Sequence, residues 1–225
     1  MCGRTTLTLD LPFMKEVFTI KHWEKEEYYS RRYNIAPTQT SPILLSNGDR
    51  HVKLMRWGLV PSWAGEIPQG SQMINARAET VMEKSSFRRL VPRRRCVVLT
   101  DGFYEWKKEG MSKVPHYIHD PDGGILPMAG LWDIWTSPEG DELRSYTIIT
   151  TEPNSQLESI HNRMPVILQT SDLDLWLRTD EHRPNEAITL LKPYEGQLEI
   201  FPVSNFVNSP GNNSPECIQR VRGRY

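Results

Sequence analysis

Cys96-Val97-Val98-Leu99-Thr100-Asp101-Gly102-Phe103-Tyr104-Glu105-Trp106 is the stretch that decides the fold. Residues 96–99 form a short apolar, β-branched run, the pattern of a buried strand carrying an inert thiol. Residues 102–106 read as a second strand, and Thr100-Asp101 separates the two. The same grammar recurs on both sides. Asn47-Gly48-Asp49 is a preferred hairpin turn between a strand at 42–45 and a returning strand at 51–59. Residues 107–111 read as a turn and 114–119 alternate like a strand. Apolar strands at 125–135 and 143–150 flank Ser137-Pro138-Glu139-Gly140, and shorter strands are expected at 164–168 and 198–203.

Helical signals are few and short. Asp10-Leu11-Pro12 places an N-cap and an early proline before an apolar face of Phe13, Met14, Val17 and Phe18. Further short helices are expected at 80–84, 85–90, 154–160, 171–177 and 185–191, with 21–32 mostly loop. Pro37 biases Ala36 toward extended backbone. Many hairpin-spaced strands with a few short helices define an α+β chain, a single domain of mostly antiparallel β-sheets with short flanking helices. The domain is expected over residues 2–218, with 219–225 as a polar tail.

Composition is that of an ordinary soluble domain, 225 residues with a net charge of −1. No apolar run reaches the roughly 18–20 residues of a membrane span, and no secretory signal opens the chain. A cytoplasmic protein, nucleoid-associated when bound to DNA, is the expectation. Three cysteines, Cys2, Cys96 and Cys217, are too few and too scattered for a disulfide framework or a CxxC zinc site. Neither a metal nor a cofactor is expected. The charge distribution is uneven. Residues 31–107 hold thirteen Lys/Arg against six Asp/Glu, and residues 120–199 hold five against fifteen. The first half includes Arg31-Arg32, Arg88-Arg89 and Arg93-Arg94-Arg95, a distribution suited to a polyanion.

Met1-Cys2-Gly3-Arg4 carries the most distinctive chemistry. Cys2 is small enough for methionine aminopeptidase to remove Met1, which leaves an α-amine and a thiol on adjacent carbons. Their unperturbed pKa values, about 7.7–8.0 and about 8.5, keep both useful near neutrality. Such a 1,2-aminothiol condenses with an aldehyde to an imine and closes to a thiazolidine, or acts as an N-terminal nucleophile in acyl transfer. His161, in Ile160-His161-Asn162-Arg163-Met164-Pro165, has the character of a general acid/base. Glu105 stands between two aromatics on a strand. Facing inward it would be a proton donor with a raised pKa, facing outward an ordinary surface acid, and the pattern does not choose. Asn75 and Arg77 alternate on one face of an extended segment, where the amide can orient an oxygen and the guanidinium can hold a phosphate. Trp63, beside Pro61, offers a ring on which a base can stack.

Six motifs occur in order: Met1-Cys2-Gly3-Arg4, Arg32-Tyr33-Asn34-Ile35-Ala36-Pro37, Trp57-Gly58-Leu59-Val60-Pro61-Ser62-Trp63, Ile74-Asn75-Ala76-Arg77-Ala78-Glu79-Thr80, Asp101-Gly102-Phe103-Tyr104-Glu105-Trp106 and Ile160-His161-Asn162-Arg163-Met164-Pro165. Together they resemble the SOS response-associated peptidase (SRAP) family, which shields abasic sites in single-stranded DNA. The resemblance implies an enzyme of DNA damage repair, peptidase-like or lyase-like, whose Cys2 forms a covalent thiazolidine with the ring-opened abasic sugar. It implies catalytic roles for Cys2, Asn75, Glu105 and His161, and DNA contacts by Arg4, Pro37, Trp63, Arg77, Arg88 and Arg163. It implies a monomer acting on single strands and on single-strand/duplex junctions. Two positions depart from the family pattern. Thr5 replaces a common aromatic, and Asn162 replaces an acid beside His161. The competing readings are an N-terminal-nucleophile amidotransferase, a cysteine peptidase, and a non-covalent single-strand binder.

Overall fold

The strand containing Glu105 is built from residues with two opposite loyalties, and this organises the architecture. In the computed structural model, which describes residues 2–67, 70 and 72–221, the chain forms thirteen strands and three short α-helices among the described residues. In order they are β1 (Thr5–Leu7), α1 (Leu11–Val17), β2 (His22–Trp23), β3 (Arg32–Ile35), β4 (Thr40–Ser46), β5 (Arg50–Trp57), β6 (Asn75–Arg77), β7 (Arg95–Val98) and β8 (Gly102–Glu109). There follow β9 (Ser112–His119), β10 (Met128–Thr136), β11 (Glu142–Thr151), β12 (Met164–Pro165), α2 (Leu173–Leu177), α3 (Pro184–Ala187) and β13 (Glu199–Pro202). Met1 lies outside the described residues, and the expected tail at 219–225 is described only as far as Val221.

A five-stranded antiparallel sheet runs β13-β9-β8-β1-β3. The second sheet has eight strands, with a path β12-β11-β10-β7-β4-β5-β2 and β6 joined to β11. A parallel pairing of β11 with β5, at Ser145↔Arg56 and Tyr146↔Trp57, closes that path on itself. Five strands, β5, β4, β7, β10 and β11, thus make a barrel-like ring. Closure removes the sheet edges of these strands. The ring is buried on both faces: neighbouring Ile43 and Leu44 of β4 point to opposite sides, and both are fully buried, as are Val97, Leu131 and Ile148. Gly130 is required here, because a Cβ would meet the Thr147 carbonyl at 2.9 Å and the Cys96 Sγ at 3.0 Å.

β8 is buried on both faces. Phe103 and Ile118 of its partner β9 join the main core, while Tyr104 and Tyr117 join a second cluster with Phe201, Val203, Val207 and Cys217. Period-two alternation therefore sends Glu105 to the same side as Phe103, toward the barrel. Gly102 permits this double packing, since a Cβ there would stand 2.4–2.6 Å from the Tyr117 ring. Buried Asp101 ties the start of β8 to β1: it accepts from Thr6 Oγ1 at 2.5 Å, Thr8 N at 2.6 Å and Thr8 Oγ1 at 2.5 Å. The C-terminal segment is part of the fold, with 3₁₀ turns at Asn205–Asn208 and Pro215–Ile218 and a bridge between Val203 and Arg220.

Several local expectations are corrected. The helices expected at 80–84 and 85–90 are a 3₁₀ turn at Ala78–Thr80 followed by successive hydrogen-bonded turns. The arginines and prolines there leave too few apolar positions to anchor a helical face. Residues 154–160 likewise form turns, held by Leu157 and Glu158 N–H groups on the Asn154 carbonyl. The 21–32 segment contains β2, recruited beside β5 by parallel pairing. Asp10 does not cap α1 through its side chain, which instead pairs with Arg31 at 2.6 Å. Only Met14 and Phe18 of the expected α1 face are buried; Phe13 and Val17 are exposed. The turn read at 107–111 is confined to Gly110 and Met111, because β8 and β9 pair as far as Glu109↔Ser112.

Gly102→Ala should be destabilised by about 1–3 kcal/mol, the usual cost of overpacking a filled site. Thermal unfolding of the purified variant measures this, and an unchanged melting temperature would contradict the close approach to Tyr117.

Candidate active site at the junction of the two sheets

The site lies where β1 and β8 of the first sheet meet β6, β11 and β12 of the second. The β1–β8 register, Thr5↔Phe103 and Thr6↔Gly102, extends to a bond from Tyr104 N to the Arg4 carbonyl. Carried two residues further, it sets Cys2 and Gly3 beside Glu105. From the other sheet, β6 pairs in parallel with β11, Ile148↔Asn75, and the Asn75 Nδ2 donates to the Cys2 carbonyl at 2.8 Å. The Asn75 Oδ1 is buried and has no hydrogen-bond partner among the described residues. β12, which follows His161-Asn162-Arg163, pairs with the end of β11 at Thr150↔Pro165. His161 is thereby held with its Nε2 at 3.9 Å from Glu105 Oε2.

The electrostatics follow from burial. Glu105 is 2% exposed, and loss of hydration pushes its carboxyl up to about 7. The Cys2 thiol is fully buried and raised well above the ordinary thiol range, first by desolvation and then by the Glu105 charge. His161 is lowered by burial, so its ring is neutral near pH 7. Its Nδ1 lies 3.1 Å from the Arg163 backbone N–H and 3.3 Å from the Arg163 carbonyl, and its Nε2 faces Glu105. A carboxyl poised near neutrality between a thiol and a neutral imidazole can both give and take a proton.

An open cleft of about 790 Å³ reaches this group. Glu105, His161 and Arg4 line it, together with Trp106, Lys108 and Lys113. Arg4 is half-buried and internally engaged: Nη1 donates to Asn34 Oδ1 at 2.7 Å and to the Val207 carbonyl at 2.6 Å. No carboxylate pairs with it among the described residues, so it brings an uncompensated positive charge to the cleft. Asn34 Nδ2 completes the clasp on the Val207, Ser209 and Asn212 carbonyls at 3.1, 3.0 and 2.7 Å.

The remaining candidates are dispersed. Trp63 is 62% exposed on its loop, and Arg77 and Arg88 are exposed. Pro37 is half-buried at the turn between β3 and β4, before Thr38 with φ 73°. Arg163 is bound in place by a two-pronged pair with Glu79, at 2.7 and 2.9 Å, and by the Thr150 carbonyl at 2.6 Å. That arrangement makes it a brace for the His161 turn. The Arg93-Arg94-Arg95 run is also not the free basic patch its spacing suggests, since Arg95 is only 2% exposed. Sequence reading missed Lys108 and Lys113, which face each other across the β8–β9 hairpin. Their signal was the hairpin register, hidden by starting the turn three residues too early.

A mostly β domain with a thiol, a carboxyl and an imidazole gathered at the junction of two sheets is a specific class of architecture. The chain belongs to the SOS response associated peptidase (SRAP) family, whose description matches residues 1–210. It is 42% identical over 222 residues to "Abasic site processing protein YoqW" of Bacillus subtilis (strain 168), covering 97% of this chain and 99% of that relative. It is 35% identical over 260 residues to "Abasic site processing protein HMCES" of Gallus gallus, covering 97% of this chain and 77% of that protein. A crystal structure of a Bacteroides thetaiotaomicron protein superposes with a TM-score of 0.85 at 28% identity, covering 98% of this chain and all of the other.

The raised Glu105 carboxyl has a consequence for stability. The folded group holds its proton to about pH 7 while the unfolded group loses it near 4.5. The unfolded state is thus favoured progressively as pH rises between those values, and the penalty is complete above 7. Glu105→Gln should therefore be more stable than the parent by roughly 1–3 kcal/mol at pH 8, with little gain at pH 4. Urea unfolding at the two pH values measures the difference; equal gains at both would contradict the assignment.

Proposed function

We propose that this protein processes abasic sites in DNA by forming a covalent thiazolidine between Cys2 and the ring-opened deoxyribose. The observation that carries the reading is the placement of Cys2 beside a buried carboxyl raised to about 7, which itself lines a cleft of positive rim. Removal of Met1 exposes the Cys2 amine. The amine attacks the C1′ aldehyde, and loss of water gives the imine. The thiol then adds to the imine carbon and closes the five-membered ring. The high thiol pKa keeps sulfur protonated at rest, so the amine acts first. Glu105 donates the proton that lets hydroxide leave as water and receives the thiol proton on ring closure. His161, whose Nε2 faces Glu105, stabilises the sugar oxygen as the ring opens. Asn75 fixes the Cys2 backbone through the 2.8 Å bond to its carbonyl, and its unpaired Oδ1 is available to the amine.

Single-stranded DNA is the substrate form this reading favours, with Trp63 as a stacking platform and Pro37 as a wedge at the junction with duplex. Arg4, Arg77 and Arg88 supply positive charge for the flanking phosphates, and Lys108 and Lys113 extend it along the cleft. Arg163 acts by holding His161. Binding of this kind weakens steeply with salt. The protein names of the relatives support abasic-site processing. The amidotransferase alternative needs a thiol activated for acyl attack, which the raised thiol pKa disfavours.

Protein incubated with a single-stranded oligonucleotide carrying one abasic site should give a band of slower mobility on a denaturing gel. The band should be absent in Cys2→Ala, and intact mass should show that reactive protein lacks one methionine. Glu105→Gln should slow crosslinking by about 100-fold, the scale of a lost general acid–base group. An unaltered rate would remove Glu105 from the mechanism, and a band persisting in Cys2→Ala would sink the reading as a whole. Replacing Lys108 and Lys113 together by Glu should weaken binding to an undamaged single strand and lower the slope of affinity against salt. Filter binding at two salt concentrations measures it, and an unchanged slope would place the strand elsewhere.

A further inference from the structure

The Arg93-Arg94-Arg95 run is not used by the cleft at Cys2. Its Arg93 and Arg95 line a second cleft, of about 570 Å³, that shares no lining residue with the first. The two stand apart along β11. Arg144 lines the second cleft, whereas Ile148 pairs with the Asn75 that touches Cys2. Four residues of strand separate them, about 13 Å. The volume is that of a small-ligand site.

Its chemistry has two halves. One wall is apolar, built from Leu45, Trp132, Ile134 and Leu177. Trp132 is half-buried and carries the Arg94 guanidinium 4.2 Å from its ring centre. The other half is cationic. Arg95, almost fully buried, donates to the Trp176 carbonyl, to the Val91 carbonyl at 2.8 Å and to the His182 carbonyl at 3.0 Å. No carboxylate pairs with it among the described residues. Burial lowers its guanidinium only to about 10, so the charge persists at neutral pH. Arg93 is exposed at the rim, and it too has no carboxylate ion pair among the described residues. Lys53 and Arg144 share Glu24, at 4.0 and 3.3 Å, and Asp180 is the acidic residue of the lining. Four cations thus face two carboxylates, and one of the cations sits where water cannot solvate it. A buried charge without a counter-ion is costly, and a bound anion relieves that cost.

We propose that this second cleft binds a nucleoside phosphate, its base against Trp132 and the apolar wall and its phosphate between Arg93 and the field of Arg95. The ligand is either a free nucleotide or one nucleotide of a strand. Full-length Cys2→Ala protein, which removes the covalent reaction, is titrated calorimetrically with deoxyadenosine monophosphate and with deoxyadenosine. The monophosphate should bind saturably and more tightly than the nucleoside. Arg93→Glu in the same background should weaken it by about tenfold or more, the scale of one charge-assisted contact. Arg93→Ala should give an intermediate loss. Crosslinking by the single variant Arg93→Glu in otherwise native protein should be unchanged where the cleft takes a free nucleotide and slowed where it takes a strand. An unmodified oligothymidine that displaces the monophosphate assigns the cleft to a strand, and one that does not assigns it to a free nucleotide. No saturable monophosphate binding, or equal affinity in Arg93→Glu at an unchanged melting temperature, would overturn the proposal.

Discussion

The parallel pairing of β11 with β5 is the constraint on which the rest of the structure depends. It spans only Ser145↔Arg56 and Tyr146↔Trp57, yet it converts a meander of hairpins into a closed ring. A ten-residue strand that must pair with β10 along one edge, and with β5, β6 and β12 elsewhere, cannot slip its register without breaking several ladders at once. Because β6 and β12 attach to the C-terminal half of β11, the same strand delivers Asn75 and the His161 turn to one end of the barrel. The opposite half of β11 contributes Arg144 to the second cleft. The barrel thus separates two basic clefts by the length of its own strands.

The first sheet supplies what the barrel cannot, a carboxyl buried beside the chain's N-terminal cysteine. β8 packs Phe103 against the barrel and Tyr104 against the C-terminal cluster, so a charged residue in register with Phe103 is carried inward. The resulting desolvation opposes folding near neutral pH and also sets the proton affinity the proposed chemistry needs. Cost and use come from the same burial. The Arg4–Asn34 clasp then ties β1 and β3 to the 3₁₀ turn at Asn205–Asn208, so the backbone following Cys2 is held from both ends of the chain.

Much of this was legible from residue order alone. Strand-forming runs around Asn47-Gly48 and within 96–106 gave the α+β class and the antiparallel pairing, because local alternation and turn chemistry dominate there. The helices at 80–90 failed because a run of turns and a short helix share the same polar, proline-bounded composition. Trp63 was readable as an exposed loop aromatic. Arg163 and Arg95 were not readable as braces, because decisive partners of each guanidinium, Glu79 in one case and the Trp176 and His182 carbonyls in the other, are distant in sequence.

The sequence by itself determined which residues the proposed chemistry draws on: a cysteine after the first methionine, an acid flanked by aromatics and a histidine before a strand, with enough ordered motifs to identify the family. It could not decide which way Glu105 faces, because a strand with aromatic neighbours on both sides gives no polar face to read. The tertiary structure decided that, by burying both faces of β8. It also decided that Arg4 is clasped, that two lysines border the cleft, and that the triple arginine serves a different cavity. Apart from the local pairing of the two lysines, each of these depends on contacts between segments tens to hundreds of residues apart, and local sequence carries no record of a partner at that distance.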